Sequence, residues 1–94
     1  MYMRVSTFKT APDGSGEPTD ETVQRVLAIP GCKGFYYLSG DQGKALALTL
    51  WADKDALDGS RDAAKAIRAE SAAEQRMEIL GVEEYEVLRQ EGTG

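Results

Sequence analysis

The 94-residue chain contains no histidine and only one cysteine, Cys32. Without imidazole there is no Ser-His-Asp or Cys-His relay, no His-ligated zinc and no proximal histidine for a haem. One thiol makes neither an internal disulfide nor a thiolate cluster, which fits a reducing cytoplasm. No apolar run approaches the ~20 residues of a membrane-spanning helix. The start, Met1-Tyr2-Met3-Arg4-Val5, is already strand-like and does not read as a signal peptide. The GxGxxG and GxxxxGK phosphate-loop patterns are missing. Positive charge is in deficit: the formal net charge is -5, so the surface repels nucleic-acid backbones and anionic membranes. The expectation is a protein with no metal, no cofactor, no nucleic-acid partner and no membrane partner.

What is present reads as one globular domain over residues 1–88 with a polar tail over 89–94; 41% of residues are hydrophobic and 29% charged. The chain is organised around Lys44-Ala45-Leu46-Ala47-Leu48-Thr49-Leu50-Trp51. Side chains alternate across a strand, so Leu46, Leu48 and Leu50 point one way and Ala45, Ala47, Thr49 and Trp51 the other. Both faces are apolar, and both need cover. Helices of this short chain can cover one face, which leaves the other for a second subunit.

Tyr2 to Lys9 reads as the first strand, with Met3, Val5 and Thr7 on one face and Tyr2, Arg4, Ser6 and Phe8 on the other. Arg4, in mid-strand, is either one half of an ion pair with a neighbouring carboxylate (Glu84 or Glu86) or an anchor for a ligand's oxygen. Thr10 to Pro18 is a loop with a turn signal at Asp13-Gly14. Thr19 to Ile29 is a helix with an inner stripe of Val23, Val26 and Leu27, stopped by Pro30-Gly31. Gly31 to Leu38 is the second strand, with Phe35 and Tyr37 on one face, Tyr36 on the other and Cys32 as a small buried residue. Ser39 to Gly43 makes a short hairpin loop. Asp53 caps a helical turn ending at Gly59, and Ser60 caps a longer helix to about Glu74. The inner stripe of that helix is Ala63, Ala64, Ile67, Ser71 and Ala72. Arg61, Asp62, Lys65, Arg68 and Glu70 form its solvated face. Met77 to Leu88 is the last strand, with a bulge at Gly81.

The order strand, helix, strand, strand, helix, strand (βαββαβ) is the ferredoxin-like split pattern. Right-handed crossovers place both helices on one face of a four-stranded antiparallel sheet, with strands one and three central. The fold class is α+β.

Four segments carry a resemblance: Tyr2-Met3-Arg4-Val5-Ser6-Thr7-Phe8, Ile29-Pro30-Gly31-Cys32-Lys33-Gly34-Phe35-Tyr36, Gly43 to Trp51, and Glu84-Tyr85-Glu86-Val87. Together they resemble the antibiotic biosynthesis monooxygenase (ABM) domain. That resemblance implies a dimeric α/β barrel in which two subunits stack their helix-free sheet faces. It also implies either a cofactor-independent monooxygenase of phenol- or hydroquinone-like aromatics or a non-catalytic dimeric module that binds a small ligand or regulates a neighbouring enzyme. The haem-degrading branch of the family uses an Asn on strand one and a His on the helix after strand three. Ser6 and Thr7 stand in the Asn region here, and no His exists. For a phenol-oxidising pocket, Trp51 and Arg4 are the catalytic candidates, Arg4 lowering a phenol's pKa. Tyr36, Tyr37, Trp51, Ile67 and Tyr85 are the candidate substrate contacts. Trp51 reads first as plain core and only second as a substrate platform. The expected cavity lies between helices and sheet, with Ala63, Ala64 and Ile67 as one wall and the second and third strands as the other.

Overall fold

The structure is a computed structural model that describes residues 1–12 and 16–92. The turn expected at Asp13-Gly14 and the last two residues of the tail lie outside the described residues. The elements run β1 (Tyr2–Lys9), α1 (Asp20–Leu27), β2 (Cys32–Ser39), β3 (Lys44–Trp51), α2 (Lys54–Gly59), α3 (Arg61–Glu74) and β4 (Glu78–Glu86). The sheet is four-stranded and antiparallel in the order β2-β3-β1-β4, so β1 and β3 are central, as the two-sided apolar character of β3 requires.

The register follows the alternation of the sequence. Across β1 and β3, Arg4 stands opposite Thr49, Ser6 opposite Ala47 and Phe8 opposite Ala45. Arg4, Ser6, Phe8, Ala45 and Trp51 are all buried on the helix-covered face. The other face carries Met3 opposite Leu50, Val5 opposite Leu48 and Thr7 opposite Leu46. Tyr36 and Leu38 extend this face onto β2, and Tyr85 and Glu83 extend it onto β4. Thr7 pairs with Gly81 while Phe8 pairs with Ile79, so Leu80 is the extra residue of a bulge at the expected place.

Local chemistry sets the ends of the helices. The Thr19 hydroxyl accepts from the Thr22 amide at the start of α1, and Asp53 Oδ1 accepts from the Ala56 amide at 2.8 Å at the start of α2. Gly31 ends the turn after α1 with φ 84°, and a Cβ there would overlap the Ala56 methyl. Only glycine satisfies both constraints.

The structure corrects four expectations. Helix α1 covers Asp20–Leu27 and buries Thr22 and Val26, an i, i+4 pair, so Leu27, about 100° round the helix from Val26, falls off the seam and is exposed. Ala63 is likewise exposed, on the outer side of α3. Cys32 is half-buried, because it opens an edge strand. Ser60 precedes α3 in helical conformation and makes no side-chain cap. Its hydroxyl donates instead to the Leu57 carbonyl at 2.7 Å.

Candidate functional site

The alternation that buries Arg4, Ser6 and Phe8 on β1 also aims Phe35 and Tyr37 on β2, and Ala47 and Thr49 on β3, beneath the helices. Between them and the helices lies a cavity. Helix α1 contributes Thr22 and Val26 to its roof; α3 contributes Ala64, Ile67, Arg68 and Ser71; Gly16, Pro18 and Met77 close its rim. The enclosed part leaves about 60 Å³ for the centre of a water-sized sphere. At ~10–15 Å³ per water, that is the room of a few waters, well below the ~150 Å³ of a cavity that takes benzene, so a ring enters only by using the open mouth as well. Pro18, Phe35 and Tyr37 are shared with a wider surface groove that carries Glu17 and Asp20.

Arg4 is 3% exposed and almost fully committed. Its Nε and Nη2 donate to Glu84 Oε2 at 3.0 and 2.7 Å, its Nη2 also to the Leu57 carbonyl at 3.1 Å, and its Nη1 to Ser60 Oγ at 3.0 Å. These four bonds use most of the five N–H donors of a guanidinium. Arg4 therefore clamps β4 and the α2–α3 elbow onto β1, which is the ion-pair alternative read from the sequence. Glu84 is shared: Arg61 Nη2 donates to its other oxygen at 2.6 Å. The bond from Arg61 holds the Glu84 carboxyl below the ordinary range, partial burial acts against it, and Arg4 adds to the lowering.

Trp51 is 0% exposed, and its indole N–H donates to Thr49 Oγ1 at 2.9 Å. The Arg4 guanidinium lies 5.4 Å from the ring centroid, within cation–π range. Trp51 does not line the cavity; it sits with Arg4 at the packed end of the sheet.

Arg68 lines the cavity and is half-buried, with no hydrogen bond or ion pair among the described residues. Burial lowers its pKa, nearby Arg4 lowers it further, and Glu84 acts weakly the other way. Sequence reasoning placed Arg68 on the solvated face. The signal that finds it is spacing: Ala64, Ile67, Arg68 and Ser71 occupy i, i+3, i+4 and i+7, one face of a helix.

Of the candidate contacts, Tyr37 and Ile67 reach the cavity. The Tyr37 hydroxyl donates to the Met77 sulfur at 3.6 Å, and its pKa is raised by burial and then by the charge of Glu17. Tyr36 and Tyr85 are placed on the opposite, helix-free face, 52% and 51% exposed. Phe35 lines the cavity as well, and was legible only as the partner of Tyr37 in alternation. Among the described residues, no cluster of three or more His, Cys, Asp or Glu side chains is arranged to hold a metal ion.

No protein-family model and no curated protein matches the sequence. Solved structures match in fold. A provisionally named antibiotic biosynthesis monooxygenase from Deinococcus radiodurans superimposes with a TM-score of 0.67 at 14% identity, over 100% of this chain and 99% of that one. Another so named, from Chloroflexus aurantiacus J-10-fl, gives 0.60 at 14% identity, over 99% and 98%. An MhuD variant with two manganese protoporphyrin IX molecules per active site gives 0.62 at 20% identity, over 99% and 100%. The chain thus has the ABM-like, ferredoxin-type fold. A porphyrin does not fit the residues present: the enclosed part of the cavity takes only a few waters, and the chain has no imidazole. Among the described residues, no helix is long and apolar enough to cross a membrane.

Proposed function

We propose that this chain is an ABM-like small-molecule protein acting as a cofactor-independent monooxygenase on a small phenol- or hydroquinone-like aromatic. The observation that carries the reading is the cavity: mostly apolar walls, an aromatic side and a few polar groups under a helical roof. Phe35 and Tyr37 flank a planar ring, Ala47, Ala64 and Ile67 exclude water from it, and an arginine favours its phenolate over its phenol. The phenolate gives one electron to oxygen, the two radicals join at a ring carbon, and loss of water leaves a quinone carbonyl. One oxygen atom ends in the product and one in water, all four electrons coming from the substrate. The likeness in fold to structures named as monooxygenases supports the same reading.

The protein works as a homodimer joined through its helix-free sheet faces. Met3, Val5, Leu46, Leu48, Tyr36 and Tyr85 form one apolar surface there, with Glu83 as its acidic member. Tyr36 and Tyr85 belong to this seam. The lone thiol fits a reducing compartment, the cytoplasm.

A second reading, a dimeric ligand-binding or regulatory module without catalysis, is favoured by one observation. Among the described residues no Asp or Glu lines the cavity to serve as a general base, and Arg4 is bound to Glu84. Oxygen uptake with a panel of phenols and hydroquinones, without added cofactor, separates the two. Turnover that depends on the protein supports the monooxygenase; ligand binding with no uptake supports the module.

A further inference from the structure

The charges around the roof of the cavity do not balance. Glu84 is the carboxylate nearest Arg4, and it is bonded to both Arg4 and Arg61. Asp58 is drawn to Arg61 at 3.1 Å and to Lys54 at 3.3 Å. Among the described residues Arg68 is left over, half-buried at the wall of an apolar cavity, close enough to Arg4 for repulsion, with a smaller attraction to Glu84. A partly desolvated guanidinium with no hydrogen-bonded anion among the described residues has donors to offer a ligand. Its planar fork matches an anionic oxygen, especially a bidentate carboxylate. The cavity beside it is apolar, holds a few waters in its enclosed part and opens at a mouth through which a ring can enter.

We propose that the cavity is a binding site for a single-ring aromatic anion, with the ring between Phe35 and Ile67 and the anionic oxygen on the Arg68 guanidinium. The proposal rests on the reading of the cavity as the ligand site and narrows its ligand class from neutral or charged aromatics to anionic ones. It also moves the oxygen-binding role from Arg4, whose donors are committed to the fold, to Arg68, whose donors are not.

Titration calorimetry with benzoate and with benzamide, its neutral isostere, tests the assignment in the intact protein. Benzoate is expected to bind at least tenfold more tightly than benzamide. Arg68→Gln is expected to weaken benzoate tenfold or more and leave benzamide unchanged, and Arg68→Lys to fall between. Arg25→Gln, at an exposed arginine paired with Glu70, is expected to leave both unchanged. Melting temperatures no lower than wild type for Arg68→Gln would show that the loss is not unfolding. Equal binding of the two ligands, an Arg68→Gln protein that still prefers benzoate, or no binding of benzoate at all overturns the proposal. Selective benzoate binding without oxygen uptake on any phenol removes the monooxygenase reading and leaves the anion site standing. Uptake on neutral phenols with no anion preference does the reverse.

Discussion

Arg4 and Glu84 face each other directly across antiparallel β1 and β4, and their side chains meet at 2.7 Å on the helix-covered face. The pair ties the edge strand to the centre of the sheet, and through Ser60 and the Leu57 carbonyl it ties in the α2–α3 elbow as well.

Arg4→Ala is therefore expected to act on stability. It removes the buried partner and costs about 3 kcal/mol, the low end for a broken buried pair, because Glu84 keeps Arg61 and the Leu57 carbonyl keeps the Ser60 hydroxyl. Chemical denaturation checks this. A large loss of benzoate affinity in a still-folded Arg4→Ala protein would show that Arg4 serves the ligand instead.

Acid should weaken the same junction. The Glu84 carboxyl is depressed in the fold relative to its ordinary 4.5, so its contribution is complete above that value and fades as pH falls through the depressed one. Melting temperature is expected to hold from neutrality to about pH 5 and then to drop. In Glu84→Gln the drop below pH 5 should be smaller, from a lower plateau at neutral pH.

Trp51→Phe tests whether the indole is structure or platform. The ring is sealed from solvent and bonded to Thr49, so the substitution opens a gap and strands a hydroxyl, at about 2 kcal/mol. Ligand affinity is expected to change less than threefold. A selective loss of turnover or binding at unchanged melting temperature would return Trp51 to the site.

Sedimentation checks the assembly. The wild-type chain is expected to be a dimer at micromolar concentration, and Leu48→Glu, at the middle of the helix-free face opposite Val5 and Tyr36, a monomer. A monomeric wild type would contradict the dimer.

The sheet was legible from the sequence because a strand's period of two is unforgiving: one residue of slip would have put Arg4 and Ser6 where Met3 and Val5 stand. Helices tolerate more error in phase. The inner stripe of α3 was read correctly at Ala64, Ile67, Ser71 and Ala72, but its edges were misjudged, which brought in Ala63 and left out Arg68. Alanine on either side of a seam looks the same in sequence. A long arginine among Arg61, Asp62 and Lys65 reads as solvent-facing, although its aliphatic stem can lie against an apolar wall. Ser60 was misread for a related reason: its hydroxyl suits a cap, and only the three-dimensional neighbourhood of Arg4 shows what claims it.

Both outer strands break step with their neighbours. Lys33 is the unpaired residue where β2 leaves the register of β3, and Leu80 is the one where β4 leaves that of β1. A neighbouring molecule that tried to extend the sheet sideways would meet a kinked ladder on either edge, and on β4 also the carboxylates Glu78, Glu83 and Glu86. Such edges oppose lateral growth into ribbons or fibres, while the apolar face between them stays exposed. In the proposed stacked dimer the helical roofs, with their cavities, point outward on both sides.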